Sequence, residues 1–178
     1  AMMARQGLPV TDFDDYRYTV HSGFLGSIYT ENPTAALRAM ADDIEIPSSL
    51  APVHSYLLRN LTQQKEIEYM AYENANYLAF LKGSQTPWRR IVTGFHTGRS
   101  CLVVTDSFGH CFAPYLLPYY DEVHLVDLRK GNFSEEDAGA TVTEYMREYG
   151  IDDVYVVLST ASGLQYNYTQ VYLSQYFR

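Results

Sequence analysis

The sequence predicts an α/β fold built on a parallel sheet. In its second half, short apolar runs alternate with amphipathic stretches in the order strand, helix, strand, helix, strand. Connections this short imply right-handed crossovers between parallel strands. The 178 residues are 47% hydrophobic, so the chain is long and apolar enough to bury a sizeable core.

The first strand of this pattern covers 101–105 and ends in Asp106 and Ser107. A serine at this point follows the carboxyl end of a buried strand and stands at the start of a helix. Ligand crevices of open α/β sheets lie at strand carboxyl ends, and helix N-termini stabilise developing negative charge. Ser107 is therefore a candidate nucleophile. The alternative, that Asp106 and Ser107 only cap the helix, stays open because both residue types are favoured caps.

The second half predicts two further strands, 122–127 and 153–159, and three helices, 108–119, 135–149 and 166–176. Pro114 and Pro118 should shorten or kink the first helix. Ser134 and Gly150 are expected to cap the two ends of the second helix.

The first half predicts less regular structure. Residues 1–19 are expected to form a polar entry segment, and the glycines within 20–29 tight turns. Thr34 is the expected N-cap of a short helix. The remaining predictions are a helix over 35–40, an extended piece over 44–47, a loop with a helical turn over 48–64, a hairpin over 66–81 with its turn at 73–76, and a strand over 89–94.

Composition narrows the function. A net charge of −8 argues against a nucleic-acid binder, which normally presents a basic face. No apolar run reaches the length of a transmembrane helix, and no signal-peptide pattern is present. Cys101 and Cys111 lack metal-ligand spacing, so we predict neither metal nor cofactor. The 17 tyrosines fit either packing in half-buried strands or a surface that binds carbohydrate or protein.

A serine nucleophile needs a base within hydrogen-bond reach. His110 follows the serine by one helical turn, His21 flanks the glycine turn, and His96 lies in a glycine-bounded loop before the serine strand. For His21 and His96 the alternative of ordinary surface positions stays open. His124 lies within a strand, and we predict that it is packed.

The oxyanion of an acyl transfer needs preset donors. The Ser107 backbone N–H is one candidate, and an N–H from Gly23 or Gly26 is another. Three residues are expected at the crevice: Asp106, Asp127 and Arg129. Asp106 has a capping or structural role in this interpretation, and Asp127 and Arg129 either line the crevice or pair with each other.

Six segments together resemble one family. They are FLGSIY at 24–29, YLAFLKG at 77–83, LVVTDSF at 102–108, APYL at 113–116, YYDEV at 119–123 and VDLR at 126–129. This ordered set, covering about residues 20–160, resembles the DHHW family of bacterial proteins. That family belongs to the SGNH-hydrolase-like group and is similar to the alginate O-acetyltransferase type.

The resemblance implies a three-layer α/β/α sandwich with a mainly parallel sheet, as one domain over 1–178. It implies that Ser107 is the nucleophile of acyl-ester chemistry, often on O-acetylated extracellular sugars, outside the cytoplasmic membrane. The family's upstream Asp-x-His pair is absent from this sequence. Thr105 also replaces a usual glycine, and Ser159, Thr160 and Ser162 stand where an oxyanion asparagine often follows the third strand.

We therefore expect an SGNH-type serine esterase or O-acyltransferase-like domain that acts on acylated carbohydrate and is weak or inactive as this chain alone. The alternative is a non-catalytic remnant of that fold that binds carbohydrate or protein. A homodimer is also expected, because a missing N-terminal portion would leave apolar surface exposed.

Overall fold

The computed structural model describes residues 11–59, 63–83, 88–127 and 141–164, which divide between two compact units. The first unit holds residues 11–50 and 70–83. The second holds residues 51–59, 63–69, 88–127 and 141–164. The prediction of one domain over 1–178 stays a prediction.

The first unit is built on an antiparallel pair of strands, β1 (Tyr18–Phe24) and β2 (Asp42–Pro47). Two short helices lie between them in the chain, α1 (Gly26–Glu31) and α2 (Ala35–Arg38), and 3-10 helices cover Phe13–Asp15 and Tyr77–Lys82. Thr34 caps α2 as predicted, because its hydroxyl accepts the Leu37 N–H at 3.2 Å. Ile44 and Ile46 of β2 are buried.

The second unit is built on a six-stranded sheet. Its strands are β3 (Val53–Leu58), β4 (Gln64–Ile67), β5 (Trp88–Thr93), β6 (Ser100–Thr105), β7 (Glu122–Asp127) and β8 (Asp153–Val157). They lie in the order β4-β3-β5-β7-β6-β8. The strands β6, β7 and β8 confirm the predicted positions, and β6 pairs in parallel with both neighbours. The strand predicted over 89–94 is confirmed as β5.

The prediction of a three-layer α/β/α sandwich with a mainly parallel sheet is wrong. The pairs β3–β4, β3–β5 and β5–β7 are all antiparallel, so the sheet is mixed, and its helices are few and short. Two strands of the antiparallel half, β3 and β4, come from residues whose sequence predicted a loop or a hairpin, whereas β5 was predicted as a strand without a direction. Strand β3 was missed within 48–64, because its apolar positions do not alternate cleanly and its burial follows no period of two.

The predicted hairpin over 66–81 is also wrong. Strand β4 ends at Ile67 and pairs with β3, while Tyr77–Lys82 is a 3-10 helix. The turn chemistry that predicted a hairpin belongs to a helix cap, since the Asn76 carboxamide oxygen accepts the Leu78 N–H at 2.9 Å.

The helices of the second unit are shorter than predicted. Helix α3 (Ser107–Phe112) passes into a 3-10 helix over Ala113–Tyr119, where Pro114 and Pro118 remove backbone donors. Helix α4 (Val142–Glu148) begins with a capping box of Thr141 and Glu144. Gly150 follows it with a left-handed φ of +59°, as expected for the residue that ends a helix. Helix α5 covers Thr160–Leu164. The predicted cap Ser134, the helix start at 135–140 and the helix over 166–176 lie outside the described residues.

One part of the core of the second unit lies between the sheet and α4. Every residue of β6 is buried. On one sheet face Leu102, Val104 and Val126 pack with Trp88 and Tyr145, whose rings stack 4.0 Å apart. This packing fixes the central strands and therefore the positions of the residues that follow their ends.

Candidate functional site

The turn between β6 and α3 is fixed by close packing. Helix α3 starts at Ser107, two residues after the strand ends at Thr105. A Cβ added at Gly109 would lie 1.8 Å from Thr105 Oγ1, so only glycine fits where the helix crosses the strand end. The Ser107 side chain lies exposed on this turn.

Asp106 anchors the turn through its buried side chain. Its side chain is buried, with 1% of the residue exposed. One carboxylate oxygen accepts the Phe108 N–H at 2.9 Å, and the other accepts the Ser159 N–H at 2.9 Å. Burial acts to raise the pKa of Asp106, but hydrogen bonds from Ser162, Ser159 and Phe108 outweigh it and lower the pKa. Asp106 therefore has the structural role that the sequence predicted, and it also joins α3 to the turn after β8.

The turn after β8 has its own hydrogen bonds. The Ser159 hydroxyl oxygen accepts the Ser162 N–H at 3.1 Å, and the two hydroxyl oxygens lie 3.2 Å apart. The Thr105 hydroxyl lies 2.9 Å from the Val157 carbonyl oxygen, to which it donates across β6 and β8. In the sequence, Ser159 and Ser162 stand out only because the resembled family often has an asparagine at this point after the third strand. The signal for their role is a Ser-x-x-Ser spacing at a helix start.

Five residues share one edge of the sheet, which we call the carboxyl edge: Asp106, Ser107, Asp127, Ser159 and Ser162. The register places them together, because Thr105 pairs with Asp127 on β7 and with Val157 on β8. The prediction that Asp127 ends its strand at the same edge as Ser107 is confirmed, and Asp127 is buried. Arg129 lies outside the described residues.

The Ser107 hydroxyl has no hydrogen-bond partner among the described residues. Its backbone N–H lies in the first turn of α3, where the next N–H, that of Phe108, is already bonded to Asp106. At this edge the Ser107 hydroxyl is therefore exposed, and the backbone N–H that follows it is held by Asp106.

The structure places the three candidate bases on different elements of the chain. His110 lies one turn after Ser107 in α3 and is 6% exposed, whereas Ser107 is exposed. His96 lies before the amino end of β6, with a left-handed φ of +54°. Ser107 follows the other end of that strand, about 17 Å of extended chain away, so His96 is not brought to the serine.

The remaining predicted residues, His21, Gly23 and Gly26, belong to the first unit. His21 lies within β1, and its Nε2 donates to the Tyr72 carbonyl oxygen at 2.7 Å. Gly23 and Gly26 both have left-handed φ angles, +85° and +69°. The second unit therefore contains Ser107 together with His110 and His96, and the first unit contains His21 and the predicted glycine donors.

His124 is packed, as predicted. It is fully buried, and burial lowers its pKa. Its Nε2 donates to Glu122 at 3.0 Å, and its Nδ1 accepts the Tyr145 hydroxyl at 2.7 Å, a pattern that suits the neutral ring. Arg90 binds Glu122 with two nitrogens at 2.7 and 2.5 Å. Although burial acts to raise it, the pKa of Glu122 falls to about 2 through Arg90 and His124.

The part of the chain that the structure describes holds neither a membrane-spanning helix nor a cluster of metal ligands. There, no helix is long and apolar enough to cross a bilayer. Within the same residues, no three histidine, cysteine or acidic side chains are grouped to hold a metal ion.

Solved structures show what this chain is similar to. A DHHW family protein from Eubacterium siraeum DSM 15702 matches with a TM-score of 0.75 and 21% identity, over 94% of this chain and 55% of that chain. PatB1 of Bacillus cereus with a sulfonyl adduct matches with a TM-score of 0.60 and 14% identity, over 90% of this chain and 54% of that chain. A second structure of PatB1 matches with a TM-score of 0.59 and 16% identity, over 90% and 55% of the two chains.

These matches concern the fold. The chain spans about half the length of the structures it matches. No protein-family model matches the sequence, and no curated protein matches it significantly. The likeness to a DHHW family protein is thus confirmed as a likeness of fold, and the grouping with SGNH hydrolases stays a prediction.

Proposed function

We propose that this chain is a weak serine esterase or O-acyltransferase-like domain of the SGNH type, acting on O-acylated carbohydrate with Ser107 as its nucleophile. The observation that carries the proposal is an exposed hydroxyl at the carboxyl edge, on a turn that Asp106 and Gly109 fix from both sides. The fold shared with a DHHW family protein and with PatB1 supports it.

The chemistry is an acyl transfer in two steps. Ser107 Oγ attacks the ester carbonyl carbon and its proton passes to a base; the sugar oxygen then leaves and takes a proton. Water, or a hydroxyl of a second sugar, next attacks the acyl-serine and releases Ser107. The Ser107 N–H serves as one donor to the oxyanion of each step.

His110 is the proposed base, because it shares α3 with Ser107 and residues three apart lie on neighbouring positions of a helix. Two observations support slow turnover, the burial of His110 and the lack of a partner for the Ser107 hydroxyl among the described residues, since proton transfer needs hydrogen-bond reach. The missing Asp-x-His pair is consistent with this weakness.

A second function is a non-catalytic remnant that binds carbohydrate or protein. One observation favours it: the Ser107 hydroxyl has no hydrogen-bond partner among the described residues. We also propose a location outside the cytoplasmic membrane, which the resemblance implies, and a homodimer, which the sequence analysis predicts.

The test is hydrolysis of p-nitrophenyl acetate by the purified chain. We expect slow turnover that Ser107→Ala abolishes, while Ser22→Ala, at an exposed serine of β1, keeps the rate of the original chain. Turnover that persists in Ser107→Ala contradicts Ser107 as the nucleophile. If neither the original chain nor any variant shows turnover, the result contradicts the proposal of a serine esterase and favours the non-catalytic remnant.

A further inference from the structure

The outward face of α3 is apolar. Ser107 and Phe108 are exposed, Cys111 and Phe112 are half-buried, and the residues between them are buried. Phe108, Cys111 and Phe112 occupy positions i, i+3 and i+4, so they share one face of the helix. Phe108 is 51% exposed. A helix at a protein surface normally turns polar side chains outward, so this face is unusual, and it begins beside Ser107.

The segment that carries this face has no acidic or basic residue. Residues 107–120 contain no Asp, Glu, Lys or Arg, and their one histidine, His110, is buried. The 3-10 helix that continues α3 has the same character, with Leu116 and Leu117 buried and Tyr115 half-buried. A ligand that lies along the face therefore meets apolar side chains and no ion from this segment.

The two rings of the face are held in place. The Phe108 N–H donates to Asp106 at 2.9 Å, which fixes the backbone that carries the first ring. The Phe112 ring packs edge to face against the Tyr155 ring of β8, with the ring centroids 6.3 Å apart. Side chains that are ordered in advance lose little entropy when a ligand covers them.

The polar side chains near Ser107 are engaged within the protein. Both Asp106 oxygens accept backbone N–H groups, and the hydroxyl oxygens of Ser159 and Ser162 lie 3.2 Å apart. An ester that reaches Ser107 therefore meets one exposed hydroxyl and, next to it, the apolar face. The hydroxyls of a sugar laid on that face would lose their hydrogen bonds to water, which costs free energy. A hydrocarbon chain would instead gain by leaving water.

We propose that the apolar face of α3 binds the acyl chain of the ester, so that the site selects butyryl and hexanoyl esters over acetyl esters, with Phe108 as the main contact. A helix rises about 1.5 Å per residue, so the face from Phe108 to Phe112 is about 6 Å long, a length that an extended hexanoyl chain covers. The alcohol part of the ester then lies away from α3. This inference rests on the proposed function and names the acyl group that Ser107 receives.

The experiment compares hydrolysis of p-nitrophenyl acetate, butyrate and hexanoate by the purified chain, with the rates of Ser107→Ala subtracted as background. We expect kcat/KM for the hexanoate to exceed that for the acetate about tenfold, chiefly through a lower KM, because a methylene covered on one side strengthens binding roughly twofold. Phe108→Ala should raise KM for the hexanoate and reduce the preference to about threefold or less, whereas Phe108→Leu should keep most of it. Phe13→Ala, at an exposed aromatic ring of the first unit, is the matched control and should keep the full preference.

Two kinetic outcomes overturn this acyl preference: a kcat/KM for the hexanoate no higher than for the acetate, and an unchanged preference in a folded Phe108→Ala variant. If no ester is turned over, the proposed function fails, and amide NMR of Ser107→Ala with ethyl butanoate tests the face by itself. Shifts centred on the amides of Phe108, Cys111 and Phe112, lost when Phe108→Ala is added, would support the acyl-chain site. The absence of such shifts up to about 30 mM, a concentration that detects even very weak binding, would overturn it.

Discussion

The two ends of the central strands of the second unit are stabilised by different means. At the amino ends, which we call the amino edge, two acids are held by arginines: Glu122 binds Arg90, and Asp153 binds Arg99 at 2.5 Å. Two further acids there, Asp121 and Asp152, accept the backbone N–H groups of Thr97, Gly98 and Ser100. At the carboxyl edge, the Asp106 carboxylate is held by backbone N–H groups. The arginine pairs join two partly exposed side chains, whereas the bonds to Asp106 fix the backbone itself.

This difference has a functional consequence. Ion pairs between partly exposed side chains contribute little stability and depend on salt. A buried carboxylate bonded to two N–H groups fixes the geometry of two turns, and one of these turns carries the exposed Ser107. The comparison teaches that the amino edge combines partly exposed ion pairs with backbone anchors, whereas the turn that carries Ser107 is held by the buried anchor at Asp106.

The largest expected effect comes from adding a methyl group at Gly109, where α3 packs closely against Thr105 at the end of β6. Gly109→Ala places a methyl group against Thr105, and we expect a loss of about 3 kcal/mol in the free energy of unfolding, since overpacking forces the helix away from the strand. Gly163→Ala in α5 is the matched control, because nothing lies within 4 Å of its added Cβ. Urea unfolding of both variants measures the difference, and equal stabilities would contradict the packing of α3 on β6.

The second-largest loss of stability is expected for changes at Asp106, which anchors the turn before α3. Asp106→Ala leaves the N–H groups of Phe108 and Ser159 without their acceptor, and we expect a loss of about 2 kcal/mol, with a smaller loss for Asp106→Asn. The folded state lowers the pKa of Asp106 below its ordinary 3.8, so the stability it contributes is full above that value and falls as the pH decreases through the folded pKa. Urea unfolding between neutral and acid pH measures this, and a constant difference between original chain and Asp106→Asn would contradict it.

At the amino edge the expected effect of Glu122→Gln is about 1.5 kcal/mol. The pKa of Glu122 is lowered from 4.5 to about 2, so the advantage over Glu122→Gln should hold above pH 4.5 and disappear as the pH falls toward 2. Burial lowers the pKa of His124 below 6.5, so both proteins should also lose stability as the pH falls below that value. Thermal unfolding against pH measures both effects. An advantage that grows on acidification would contradict the sign.

The smallest effect is expected for Asp153→Asn. This change removes the ion pair with Arg99 and weakens the acceptor of the Tyr120 hydroxyl, which lies 2.7 Å away. We expect a loss of about 1 kcal/mol that shrinks at high salt, because the pair is partly exposed. Unfolding at low and high salt measures it. A salt-independent loss would mean that Asp153, like Asp106, is not held by a screened ion pair, and it would remove the contrast between these two acids.

The sequence predicted the carboxyl edge better than the rest of the sheet. Continuous apolar runs such as 101–105 identify buried parallel strands, and the Asp106-Ser107 pair marks the turn that follows. Strand β3 was missed because its burial has no clear period, and Asn76 predicted a hairpin turn because caps and turns use the same side-chain hydrogen bonds.

The site was predicted only in part, for a physical reason. Asp127 was placed at the edge of Ser107 by strand order alone, which parallel pairing makes reliable. The bond from Ser159 to Asp106 joins residues 53 positions apart and leaves no local pattern in the sequence. His96 was a candidate because it precedes the serine strand, yet a strand separates its two ends by its full length.

The measurement that tests the central claim most directly is intact-mass analysis of the purified chain after incubation with a fluorophosphonate probe, alongside Ser107→Ala and Ser22→Ala. The account predicts slow addition of one probe to the original chain and to Ser22→Ala, and none to Ser107→Ala. A chain that stays unlabelled, or a Ser107→Ala variant that is labelled as fast as the original, would contradict Ser107 as the nucleophile of this edge.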